Sequence, residues 1–139
     1  MNGARPGLLL LLAVAAGGAI GGTLRWWLGD LVPDGSGFPW TTFAVNVSGS
    51  LALALLPALA AVRRQPLATA ALGPGVLGGY TTLSTYAEQG RALLADGQAG
   101  LAAAYLLGTL AACLLAVSLA ARWVPQPDQQ AFEAEGGDE

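Results

Sequence analysis

Four long apolar stretches, 7–28, 40–62, 67–94 and 99–124, are separated by short polar connections. A bilayer core of about 30 Å is crossed by about 20 helical residues, so the pattern predicts an all-α membrane protein with four transmembrane helices. The connections, GDLVPDGSGFP, RRQP and ADGQ, carry the glycine and proline expected of water-exposed turns. One apolar stretch is interrupted from within, by GPGVLGGYTTLSTY between Gly73 and Tyr86. Unpaired backbone groups in hydrocarbon cost several kcal/mol each. The interruption therefore predicts a broken third helix whose backbone is buried in protein or lines a polar site.

Each predicted helix also carries a face. In the second, Thr42, Asn46 and Ser50 recur every four residues with Gly49 beside them, a polar stripe on a lipid-compatible cylinder. Two readings of Asn46 stay open, an interhelical hydrogen bond and a hydrophilic lining for a permeating species. Tyr105, Thr109 and Cys113 repeat the spacing more weakly in the fourth helix, where packing is the simpler reading. In the first, Gly17, Gly18, Gly21 and Gly22 form two overlapping GxxxG pairs that allow close backbone approach. Arg25 follows one turn on, either snorkelling to headgroups or fixing local structure and attracting anions.

Composition settles the solvent. Of 139 residues, 54% are hydrophobic and 11% charged, with no histidine or lysine; mean hydropathy is +0.54. An ordinary soluble domain is far less apolar. Asp128, Glu133, Glu135, Asp138 and Glu139 lie after Pro125, in PQPDQQAFEAEGGDE, which reads as a disordered acidic tail, 125–139, appended to a four-helix transmembrane domain, 1–124. Six arginines face four acids before it, which leaves no basic surface for nucleic acid. Trp26, Trp27, Trp40 and Trp123 fall at predicted helix ends, the headgroup position of amphipathic rings. Arg5, Arg63, Arg64 and Arg122 share one side of the bilayer against Arg91 and, at its margin, Arg25. The positive-inside rule then puts both termini in the cytoplasm, and a multi-pass place in the cell inner (plasma) membrane is expected. Arg5 followed by LLLLLAVAA also resembles a secretory signal, but the apolar run continues to the tryptophan pair and is long enough to stay as a span.

Catalysis has little to work with: the lone Cys113 lies within a helix, no histidine exists, and no catalytic constellation forms, so no enzyme is expected. The chain offers neutral donors instead, the amide of Asn46 and the hydroxyls of Thr42, Ser50, Ser84, Thr85, Tyr86, Tyr105 and Thr109. Such donors suit a small, strongly hydrated anion. The carbonyls of the same break suit a dehydrated monovalent cation.

GGAIGGTLRW, TTFAVNVSGS and GVLGGYTTLSTY, in that order, resemble the three signature regions of the Fluc (CrcB-type) fluoride channel family, over almost the whole chain up to Val124. The resemblance implies four-helix subunits assembled as antiparallel dimers, with the broken third helices crossing at the centre and fluoride leaving the cell down its electrochemical gradient. It also implies a structural, untransported Na+ at the dimer axis, held by backbone carbonyls at positions matching Gly78 and Thr81. Asn46 matches the pore-lining asparagine, Thr42 the polar-track threonine, Tyr105 the vestibule tyrosine, Arg25 the first-helix arginine, and Ser84 and Thr85 the hydroxyls of the break.

Two departures stand out. Where the family has TTFSTF, with two phenylalanines presenting electropositive ring edges to the anion, this chain has Leu83 and Tyr86. The acid usually found three positions after the second aromatic is Gln89 here, and Glu88 comes one earlier, turned by about 100°. Together with the one-sided arginines, these departures lead to the expectation of a heterodimer with an oppositely oriented paralogue, one of whose pores is degraded by Leu83; a dimer with itself is the alternative. Two other classes compete. A proton-coupled multidrug exporter needs an embedded carboxylate, for which only Glu88 is available, and a non-conducting partner subunit would be indifferent to a bulky apolar residue at position 46.

Overall fold

The computed structural model describes residues 6–124; the expected acidic tail lies outside them. All regular structure among the described residues is helical: α1 (Pro6–Leu31), α2 (Trp40–Leu55), a 3-10 turn (Leu56–Ala58), α3 (Ala60–Arg63), α4 (Pro66–Ala70), a π-helical segment (Ala71–Leu77), α5 (Gly78–Tyr80), α6 (Leu83–Ala95) and α7 (Ala99–Ala121). Among the described residues, three helices are long and apolar enough to cross a membrane: Gly7–Leu31, Trp40–Ala58 and Ala99–Ala121. The third predicted span is a composite of α4 to α6, discontinuous at Thr81 and Thr82.

Two differences from the sequence expectation trace to proline. The second helix does not run unbroken to residue 62: Pro57 lies in the 3-10 turn and Leu59 is extended (φ −83°, ψ 98°) before α3 resumes. In the third, Pro74 lies inside the π-helical segment; its missing N–H and its ring are incompatible with regular α spacing. α1 runs three residues beyond its predicted end, and α7 stops at Ala121.

Glycine sets the central packing. A Cβ on Gly17 would fall on the carbonyl oxygen of Ala71 and 2.9 Å from Val76 N, and one on Gly21 would fall on the carbonyl oxygen of Val76 and 2.8 Å from Tyr80 N. Partner numbers rise with those of α1, so α1 and 71–80 run parallel, backbone against backbone. α2 runs the other way, with Leu56 near Gly73, Gly49 against Tyr80 and Thr81, and Asn46 bonded to Thr82. Gly97 (φ 74°) closes the α6–α7 turn, where Gln98 N–H donates to Leu93 O at 2.9 Å and Gly97 N–H to Leu94 O at 3.1 Å. α7 then returns along α6, burying Leu93, Ala102 and Tyr105 with Phe38, Phe43, Tyr86 and Leu106 around them.

That core is small, and leucines of α1 and α7 such as Leu11, Leu12, Leu107 and Leu115 stand exposed. In water this surface would be a liability. In a lipid bilayer it is the expected exterior, and the chain is a membrane protein.

Candidate functional site

The site is built where the third segment stops being a helix. Thr81 (φ −72°, ψ 160°) and Thr82 (φ −148°, ψ 119°) are extended, so the last carbonyls of α5 and the first N–H groups of α6 lose their helical partners. Much of this loss is made good locally. Thr81 donates to Leu77 O through both its N–H and its Oγ1, each at 3.0 Å. Thr82 Oγ1 accepts from Thr85 N at 3.1 Å, a side-chain cap on α6.

Two distant side chains complete the repair. Asn46 Nδ2 donates to Thr82 O at 3.0 Å and its Oδ1 accepts from Thr82 N at 2.8 Å, so one amide mimics a peptide partner for a residue outside the helix. Arg25 Nε donates to Gly79 O at 3.2 Å, tying α1 to the end of α5. The carbonyls of Gly78 and Thr81 receive none of these bonds.

Two cavities flank the break. The larger, about 550 Å³, is lined by Asn46, Ser50, Gly78, Thr81, Leu83, Tyr86 and Thr109, among others. The smaller, about 390 Å³, holds Arg25, Asp34, Thr42, Thr85 and Gln89. Thr82 lines both. Most of the predicted residues are thus divided between two chambers that share Thr82 in their linings. Tyr105 and Ser84 line neither: Tyr105 is fully buried, and Ser84 is exposed with its Oγ 3.3 Å from Thr82 Oγ1.

A proton-by-proton account narrows the donor set. Thr42 Oγ1 donates to Asp34 Oδ2 at 2.8 Å, Tyr105 OH to Gln89 Oε1 at 2.8 Å, and Tyr86 OH to Leu106 O at 2.6 Å. Those three hydroxyl protons are committed inside the protein. Thr85 Oγ1 accepts from Thr82 Oγ1 at 3.0 Å, which leaves its own proton uncommitted. Asn46 has a second amide proton to give. Thr109 is 3% exposed, and its Oγ1 is buried with no partner among the described residues.

Asp34 is the residue that sequence reasoning missed. Its carboxylate accepts from Thr41 N (2.7 Å), Thr42 N (3.1 Å), Thr42 Oγ1 (2.8 Å) and Gln89 Nε2 (3.1 Å). Desolvation pushes its pKa up, but the hydrogen bonds from the Thr41 backbone, both groups of Thr42 and Gln89 outweigh it and hold the carboxyl below its ordinary value of 3.8. The available signal was that α2 begins after Pro39, which has no capping side chain, with an acid five residues upstream. Glu88, by contrast, pairs with Arg91 on the exposed side of α6 at 2.6 Å. Leu83 is 78% exposed, at the open edge of the larger cavity.

Residues 12–121 match the family described as CrcB-like protein, Camphor Resistance (CrcB). The chain is 39% identical over 118 residues to the Fluoride-specific ion channel FluC of Paramagnetospirillum magneticum, a match covering 81% of this chain and 92% of that protein. It is 43% identical over 121 residues to Fluoride-specific ion channel FluC 2 of Nocardia farcinica, covering 82% and 86%. With the Fluoride-specific ion channel FluC of Thermus thermophilus it shares 45% identity over 107 residues, covering 71% and 82%.

Proposed function

The chain belongs to the CrcB family, and from that premise we propose that it is a fluoride channel subunit whose anion path passes between the two chambers at Thr82. The observation that carries this reading is Thr109 Oγ1, a buried, unpartnered hydroxyl in the wall of the chamber that also contains Asn46. A buried polar atom without a partner costs about 1–3 kcal/mol, and a site that receives a hydrogen-bonding ion recovers that cost. With a free amide proton from Asn46 nearby and no carboxylate in the lining, the chamber is chemically suited to a small anion.

The finer architecture is part of the same proposal. Segments 66–95 together make the third crossing, broken at its middle, which brings the crossings to four, and both termini face the cytoplasm. The exposed Leu83 edge and the open wall of the larger chamber are covered by an oppositely oriented second subunit. The carbonyls of Gly78 and Thr81 have the chemistry of half a sodium site: neutral oxygens from broken backbone, on the same open wall, free of the donors that satisfy their neighbours. A second copy would supply the other half, and the ion would contribute positive charge beside the anion path.

Fluoride release from vesicles containing the purified chain tests the reading. Wild type should discharge a fluoride gradient and Thr109→Val should do so several-fold more slowly, while retained sulfate shows that the vesicles are intact. Wild-type vesicles that hold their fluoride both alone and with an added paralogue refute the assignment. If they release it only with an added paralogue, the second subunit is that paralogue rather than another copy.

A further inference from the structure

The α1–α2 loop delivers a carboxylate to a place where nothing in the transmembrane pattern calls for one. α2 has no side-chain cap of its own, because Pro39 precedes it, and Asp34 Oδ1 and Oδ2 take the N–H groups of Thr41 and Thr42. The same carboxylate takes the Thr42 hydroxyl at 2.8 Å and Gln89 Nε2 at 3.1 Å. A carboxylate only accepts, so Gln89 must present its NH2 to Asp34 and its carbonyl to Tyr105, and Tyr105 must donate. The directions of three hydrogen bonds on three helices follow from one charge. That charge acts across a chamber whose lining also includes Arg25.

We infer that Asp34 is a positioning residue of the conduction path: through the Thr42 hydroxyl and, by way of Gln89, the Tyr105 hydroxyl, it fixes where the protons of the polar stripe point. This rests on the channel reading above. With Asp34 ionised, Thr42 and Tyr105 turn oxygen lone pairs to their surroundings and leave donation to Asn46, Thr85 and Thr109. The groups facing Asp34 are Arg25 and Asp30 from α1, the non-titrating Thr41, Thr42 and Val45 from α2, Gln89 from α6, all in the chamber lining, and Tyr105 from α7. Glu88 and Arg91 are occupied with each other.

The test uses the full chain with Gln89→Glu, Asp34→Asn and the double variant, measuring fluoride release from vesicles and thermal melting in detergent from pH 5 to 8. Gln89→Glu puts two carboxylates at hydrogen-bond distance, where they hold one shared proton with a raised apparent pKa. Its release rate and melting temperature should both fall as pH rises, whereas wild type stays flat. Asp34→Asn should be flat and slower by roughly tenfold, the effect of one charge-assisted hydrogen bond. The double variant, with one carboxylate and one amide exchanged in place, should lose the pH dependence of Gln89→Glu and release faster than either single variant. A pH-flat Gln89→Glu, or a double variant slower than both singles, overturns the inference. A pH-dependent melt of Gln89→Glu alongside wild-type vesicles that release no fluoride sinks the channel reading, and the positioning role with it, while leaving the contact intact.

Discussion

Replacing Asn46 with leucine removes both bonds between α2 and Thr82, at 3.0 Å and 2.8 Å, and offers nothing in return. Thr82 is 9% exposed, so its N–H and C=O are then stranded in a nearly dry place. At about 1–3 kcal/mol for each unsatisfied group, the loss is about 2 kcal/mol if water from either chamber reaches them and about 6 if it does not. That is a large share of the 5–15 kcal/mol by which folded proteins typically exceed the unfolded state. Asn46→Leu should therefore melt several degrees below wild type in detergent and release almost no fluoride from vesicles. Asn46→Asp separates the two roles. It keeps an acceptor for Thr82 N–H, so part of the stability survives, but it sets a negative charge in the anion path and should abolish release. If Asn46→Leu melts within a degree of wild type, the amide does not hold the break. If it releases fluoride at the wild-type rate, Asn46 is not on the path.

Gly21→Val should prevent assembly of the native fold, because even a Cβ there falls on the backbone of Val76; size-exclusion chromatography in mild detergent should show aggregate, while Gly29→Ala, with nothing within 4 Å of its Cβ, elutes as wild type. Arg25→Gln removes the positive charge while keeping a donor for Gly79 O; melting should change by about 1 kcal/mol or less and fluoride release should fall, whereas unchanged release would show that the charge plays no part in conduction. Asp34 has a folded-state pKa below 3.8, so its contribution is fully present above that value and is lost as pH falls through the lower, folded one. The wild-type melting temperature should accordingly drop more steeply below pH 4 than that of Asp34→Asn, and parallel acid limbs would contradict the assignment.

What sequence made legible was whatever the bilayer enforces through composition. Apolar run lengths located α1 and α7 to within three residues, because a span either is apolar enough or is not. The glycine-hydroxyl stretch marked the break, since hydrocarbon penalises free backbone anywhere else. The interruption of the second span at Leu59 and the π-helical turn over Pro74 were not legible, although both prolines were in plain view: a proline constrains local geometry without saying whether the chain kinks, tightens or widens. The Asp34 network was invisible for a different reason. Its partners, Thr42 and Gln89, are 8 and 55 residues away, and no periodicity connects a loop acid to a residue on α6.

At Asn46 the structural role shown by its bonds to Thr82 and the proposed conducting role need not compete. A continuous helix has no backbone group to spare, so an ion in its neighbourhood could be met only by side chains. Breaking it at Thr81 and Thr82 frees backbone dipoles of both signs within a few residues, and each must then be satisfied or used. Arg25 and Asn46 satisfy the groups that would otherwise destabilise the bend, at Gly79 and Thr82. Gly78 and Thr81, whose carbonyls receive none of those bonds, line the larger cavity, where the proposed sodium site would form. Asn46, with a spare amide proton, and Thr109, with an unpartnered buried hydroxyl, line the same cavity and are the donors that the proposed anion path would use. On the proposed channel reading the amide that stabilises the discontinuity also borders the anion path, so a substitution there has to be read in stability and flux together.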